Sequence, residues 1–441
     1  MSTDTLAVAG PFHPSRGTYR FVVLLIAGIL TFGSYFAYDS VGALVDTLLK
    51  AWHTDRQAIG GLYTLYSVAA IVVVFLGGML IDRIGTRWAS LIFSALIVVG
   101  ACIVAVAPNV MIAGLGRLVF GAGSESLVVA QSAILARWFK GKELAFSFGF
   151  TLAIARLGTL FSFNTEELIA SRLGWHTALW AAAGLCVLSL LANLAYYAMD
   201  RHGEKVLGLA EAGSGDKIVF ADIKKFSASY WYVVLLCVTF YSAIFPFTAL
   251  STDFFHEKWG LPLTAGAGGS FFSAVFANLF HMFSTAPGTS SIIIFASMCL
   301  APFAGSMVDR VGKRTGLMMV GALLMIPCYL IMGFTTIPPM FPMLLLGASF
   351  VLVPAAMWPA VPLIVEENRV GTAFGLMTMI QNIGLGLFPF LNGKLRDVTH
   401  NYESSMVMFA VLGAAGLVFA VLLQRADARA GGVLDRGHAA G

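Results

Sequence analysis

A chain of 441 residues could hold two or three soluble domains, but 58% hydrophobic residues against 11% charged excludes a soluble surface over most of its length. A net charge of +4 decides little by itself; in so apolar a chain the informative quantity is which side of a bilayer the Lys and Arg occupy. Apolar runs of ~20 residues, the length that crosses a ~30 Å hydrocarbon core, recur about twelve times, so the expected fold class is an all-α membrane protein with twelve transmembrane helices in two pseudo-symmetric six-helix bundles.

Residues 1–19 are polar and carry Pro11 and Pro14, and no cleavable leader is expected before the first span. Spans are expected at 20–50, 57–81, 88–107, 109–138, 143–171 and 175–199, forming an N-terminal bundle over 1–199. Ionisable groups at bilayer depth are rare, tend to face a cavity and mark function by default. Span one carries Asp39 in Phe32-Gly-Ser-Tyr35-Phe-Ala-Tyr38-Asp39; Tyr35, Tyr38 and Asp39 are candidates for the solute cavity, with helix packing as the alternative.

Between spans two and three lies Gly78-Met-Leu-Ile-Asp82-Arg83-Ile-Gly85-Thr-Arg87. Span four carries Arg117-Leu-Val-Phe-Gly121-Ala-Gly123-Ser-Glu125, in which the glycines permit close helix packing and Arg117 reads as a structural or gating group. Span five carries Arg156. Glu125 lies 15 residues before Lys140 and Arg156 lies 15 residues after Gly141, on either side of one turn. At ~1.5 Å per residue both sit ~22 Å from that turn, half-way through a ~40–45 Å bilayer. A guanidinium can grip a carboxylate with two parallel hydrogen bonds and a carboxylate can take an ammonium, so the pair suits a zwitterion of dipeptide length. A direct Glu125–Arg156 ion pair is the alternative.

Residues 200–228 are polar and basic and read as a linker between bundles. The second bundle is expected over 229–424, with spans at 229–256, 289–308, 315–335, 339–365, 370–397 and 402–424, followed by a tail over 425–441. Tyr241, Phe245, Trp358, Gln381 and Asn382 are its candidates for solute contact. Residues 257–288 are Gly-rich and then aromatic, and predict a long loop with a short amphipathic helix in the interface. Between spans eight and nine, Gly305-Ser-Met-Val-Asp309-Arg310-Val-Gly312-Lys-Arg314 repeats the first-half loop at an offset of 227 residues. A six-helix internal repeat is a common plan of secondary transporters, with the solute held between the repeats.

Of the 27 Lys and Arg, nineteen fall on the side of the termini and six on the other (Lys50, Arg56, Arg172, Lys258, Lys394 and Arg396), while Arg117 and Arg156 lie within spans. This bias predicts both termini in the cytoplasm. The cysteines all lie in apolar segments, and no metal-ligand or nucleophile–base spacing is present, so neither an enzyme nor a bound metal or cofactor is expected.

The duplicated loop resembles the signature of the major facilitator superfamily. That resemblance implies gating or conformational roles for Gly78, Asp82, Arg83, Arg87, Gly305, Asp309, Arg310 and Arg314, with Arg117 behind them in span four. More narrowly, FGSYFAYDS at 32–40, GGMLIDRIGTRW at 77–88, FGAGSESLVVAQ at 120–131, WFKGKEL at 138–144, ARLG at 155–158 and GTAFGLMTMIQNIGLG at 371–386 resemble the lysosomal dipeptide uniporter family. The resemblance implies that Glu125 and Arg156 hold the amino and carboxyl ends of a dipeptide. Ser40-Val41 stands where that family often has Asn-Pro, and neither an acidic dileucine signal nor an N-x-Ser/Thr site occurs; a bacterial plasma membrane is expected, without an obligate protein partner and as a monomer. The resulting expectation is an alternating-access carrier of dipeptides, by uniport or with proton coupling through Glu125 or Asp39. An organic-anion or monocarboxylate porter, and a solute receptor that does not transport, are the alternatives.

Overall fold

The computed structural model describes residues 13–14, 16–139, 143–207, 220–265, 270–366 and 369–435. Among the described residues, twelve helical segments are arranged as spans 1 to 12. Eleven are long and apolar enough to cross a membrane: Gly17–Ala43, Arg56–Val73, Arg83–Val106, Val110–Phe139, Phe146–Leu173, Trp175–Leu207, Ala228–Thr248, Arg314–Phe334, Met340–Ile364, Val370–Thr399 and Glu403–Arg429. Span 8, Ala286–Val311, completes the set and is capped at its start by the Thr285 side chain. Each span must satisfy its backbone internally, which is why lipid admits helices and leaves the irregular segments to the ends.

Several boundaries differ from the sequence expectation, and each has a local cause. The first expected span breaks at Leu44, after which the separate helix Val45–Ala51 turns off. The seventh ends at Thr248, two residues past Pro246, and Ser251–Trp259 follows as its own helix. Hydropathy does not register a bend when both arms are apolar. Spans 2 and 3 form a single helical run, Arg56–Val106, broken at Gly85 with φ 78°. Its partner in the repeat, Gly312, has φ 69° and ends span 8. Both glycines of the duplicated loop therefore occupy the left-handed region that side chains with a Cβ disfavour. Span 6 continues to Leu207, into the expected linker. The amphipathic helix expected within 257–288 is Phe271–Phe280, and it leaves Phe272, Phe276 and Phe280 on its outward face.

The face away from the termini, called distal here, is where the two bundles meet. Span 2 lies backbone to backbone on span 11: a Cβ on Gly60 would fall 2.2 Å from the Pro389 carbonyl oxygen, and one on Gly393 2.2 Å from that of Arg56. Thr64 Oγ1 donates to Gly386 O across the same seam at 2.6 Å. Spans 5 and 8 close the other flank, where Asn164 Nδ2 donates to Ser291 Oγ at 3.0 Å. Gly60→Leu should prevent this seal from forming, because the neighbour is a backbone carbonyl that has nowhere to go. A Ser67→Cys reporter, buried beside Gly386, is expected to be protected from a membrane-impermeant thiol reagent in the parent and labelled in the Gly60→Leu background; protection in both would contradict the packing account.

Candidate functional site

Between the bundles lies a cavity of about 830 Å³. It begins beneath the distal seal and runs down to Phe146, at the start of span 5, so it reaches toward the face of the termini. Its volume falls in the usual range for small-molecule sites, ~300–1,000 Å³.

The N-terminal bundle supplies the charged wall. Span 1 places Tyr35, Tyr38 and Asp39 on it, span 4 Glu125, and span 5 Arg156. Glu125 and Arg156 do not pair with one another. Glu125 Oε1 accepts from the Tyr66 hydroxyl at 2.7 Å, and the Arg156 guanidinium lies over the Phe350 ring, 4.4 Å from its centroid. The acid is held by a donor of its own bundle, while the base rests on an aromatic face of the opposite bundle, an arrangement stabilised by the ring quadrupole. Asp39 is 7% exposed and faces the Thr159 hydroxyl, with Arg156 and Arg117 as its nearest positive charges.

The C-terminal bundle supplies an uncharged wall. Tyr241, Phe245, Trp358 and Gln381 line the cavity. Trp358 Nε1 donates to the Tyr241 hydroxyl at 2.9 Å, and Tyr241 stacks on Phe245 with an interplanar angle of 12°. Gln381 Oε1 faces the Cys237 thiol at 3.5 Å. Asn382 is the exception among the expected contacts: it is 2% exposed, lies off the cavity, and its amide donates back to Thr378 O within the same helix. One residue along a helix turns a side chain by ~100°, enough to move Asn382 from the cavity to the packed side beside Gln381.

Two contributors were not singled out from sequence. Tyr66 is one tyrosine among twelve and has no charge to flag it; Phe350 is one of 35 phenylalanines and gives no polar signal at all. Tyr66→Phe removes the donor that orients Glu125. A hydrogen bond to a charged group is worth ~1.5–3 kcal/mol, and since the donor acts on the solute only through Glu125 the lower end sets the expectation: solute affinity should fall about 10-fold without loss of maximal rate, measured as concentration-dependent uptake; unchanged affinity would contradict the role given to Glu125.

Arg117 lies behind this wall. It is 2% exposed, donates to the Ala37 and Tyr38 carbonyls at 3.3 Å each, and is ringed by Tyr38, Tyr63, Tyr66 and Phe120. It ties span 1 to span 4 and does not line the cavity. Of the loop residues, Arg87 binds Asp200 at 3.2 Å and Glu204 of span 6, and Asp200 also accepts from Trp138 Nε1 at 2.8 Å, so this latch is internal to the N-terminal bundle. Arg83 is exposed and Arg314 half-buried. The surroundings of Gly78 and Gly305 and the side chains of Asp82, Asp309 and Arg310 lie outside what is described.

A family model described as Major Facilitator Superfamily matches residues 27–288 and 283–438. The chain is 34% identical over 436 residues to a protein of Bos taurus named lysosomal dipeptide transporter MFSD1, covering 96% of this chain and 89% of that one. It is 33% identical to the Homo sapiens protein of the same name at the same coverage. Among solved structures it is similar to peptide transporter POT in complex with sulfate, with TM-score 0.71 and 15% identity over 94% of this chain and 96% of that chain. It is also similar to nucleoside transporter NupG, with TM-score 0.65 and 15% identity over 92% and 98%. At these identities the structural likeness speaks to the fold.

Proposed function

The chain belongs to the major facilitator superfamily, and from that premise we propose that it is an alternating-access carrier of short zwitterionic peptides, dipeptides first. The observation that carries this reading is that Glu125 and Arg156 share one cavity wall and are not spent on each other. Each is left to meet the opposite charge of a solute: Arg156 the terminal carboxylate, Glu125 the terminal ammonium. Two residues of extended chain span at most ~7 Å, and the aromatic wall of Tyr241, Phe245 and Trp358 offers sequence-tolerant contact to their side chains. The names of the MFSD1 relatives support the same solute.

The Lys and Arg bias supports the termini in the cytoplasm of a cell with the chain in its plasma membrane, which makes the sealed distal face the outer one and the state described here inward-facing. On this reading the carrier needs no obligate protein partner and works as a monomer. Uniport and proton coupling both remain compatible with Glu125 and Asp39. In liposomes holding the purified chain and loaded with unlabelled dipeptide, labelled dipeptide should enter by saturable counterflow, competed by other dipeptides. Absence of counterflow, or competition by simple monocarboxylates alone, would contradict the proposal and favour the organic-anion reading.

A further inference from the structure

The distal seal contains a second group of charges that the solute site does not use. Arg56, at the start of span 2, forks onto Asp253 of the helix Ser251–Trp259, with Nε at 2.5 Å and Nη2 at 2.8 Å from its two oxygens. The same carboxylate also accepts from the Tyr402 hydroxyl. Glu257 and Asp397 stand 3.9 Å from the Arg56 guanidinium, and Glu257 is itself held by Arg396 at 2.7 Å. This accounts for one positive charge and its partners.

It leaves Asp46. That residue belongs to the short helix Val45–Ala51 of the N-terminal half, is 8% exposed, and sets its carboxyl against that of Asp253, a residue of the other half that is 1% exposed. One buried oxygen of Asp46, Oδ2, has no hydrogen-bond partner. Glu167 of span 5 adds a further carboxyl group; it accepts from the Thr47 hydroxyl and has Lys50 and His256 nearby, with Glu166 beside it. Among the described residues, Arg56 is the cation that acts on Asp46, and its fork is committed to Asp253. Burial and the Asp253 charge push the Asp46 carboxyl up to about 8.

Two carboxylates brought together away from water, one with a buried oxygen that no donor meets and the other with its donors already committed, are stable in contact only if one carries a proton that both share. We infer that Asp46 and Asp253 form a proton-binding site split between the two bundles, and that the distal gate closes by taking up one proton from the distal side. When the bundles part, Asp46 and Asp253 separate into water and Asp46 returns to an ordinary carboxylate. The closed state therefore binds one more proton than the open state. Between the ordinary Asp value of ~4 and the raised one, each unit of added pH lowers the closed-to-open ratio up to about tenfold, and at higher pH the ratio levels off. Acid on the distal side closes this gate; alkali releases it. The inference requires two bundles that part at this face, and makes no use of the identity of the solute.

The test is the distance between spin labels at Met111→Cys and Val398→Cys, both exposed near the distal mouth, in the full-length protein with its own cysteines replaced. From pH 6 to pH 8 the population at the short, closed distance should give way to a longer one, with the ratio changing by up to about 100-fold. Asp46→Asn, whose amide supplies a donor without titrating, should stay closed at both pH values. Glu403→Gln, an exposed acid of the same face, should titrate as the parent does. A distribution that does not move with pH in the parent overturns the inference without recourse to any variant, and so does an Asp46→Asn protein that titrates like the parent. Because no solute is added, failure of the dipeptide assignment would leave this result unchanged.

Discussion

Replacing Arg156 with Ala is expected to lower kcat/KM for dipeptide uptake by at least about 30-fold, and Arg156→Lys to recover little of it. Truncating one member of a desolvated, hydrogen-bonded charge pair costs ~2–5 kcal/mol, because the partner charge is left buried and unanswered. A solute carboxylate moved from water into this cavity without Arg156 would meet Asp39 and Glu125 and gain no compensating cation from the opposite wall, where Tyr241, Phe245, Trp358 and Gln381 are uncharged. Lys restores the charge but neither the planar fork nor the stacking on Phe350 seen at 4.4 Å. Initial rates in liposomes containing equal amounts of folded protein measure this. A loss of less than about threefold for Arg156→Ala would mean that the carboxylate is held elsewhere.

Glu125→Gln should separate the ends of the solute. Gln keeps the shape and can still accept from Tyr66, now 2.7 Å from Glu125 Oε1, so the fold of span 4 against span 2 is retained. The charge that answers an ammonium is gone. Hydrogen bonds to charged groups contribute ~1.5–3 kcal/mol, so uptake of free-amine dipeptides at low concentration should fall about 10- to 150-fold. N-acetylated dipeptides, which bring no ammonium, should change by less than about threefold. An equal loss for both would assign Glu125 to proton handling and support an organic-anion porter.

How far these features could be read from residues alone depends on what lipid enforces. The spans were legible because an apolar run of ~20 residues has few other uses, and the repeat was legible because the loop motif recurs at a fixed offset, its glycines at 85 and 312 both at positive φ though with different ψ, 162° and −18°. Glu125 and Arg156 could be placed at matching depth because span 4 ends at Phe139 and the next helix begins at Leu144, so counting residues along two successive helices measures height. The same count cannot say which way a side chain points around the helix, and Asn382 turned away while Gln381 faced the cavity. Bends at Leu44 and after Thr248 escaped because hydropathy is blind to direction. The distal charge cluster was beyond reach for a different reason: Asp46, Arg56, Asp253, Asp397 and Tyr402 come from five segments, and only packing of the two bundles brings them together.

A structure of the protein with a bound dipeptide tests the central claim most directly. The account predicts the terminal carboxylate on the Arg156 guanidinium, the terminal ammonium at Glu125, and the side chains toward Tyr241 and Trp358. A peptide bound in the reverse orientation, or bound without touching both Glu125 and Arg156, would contradict it.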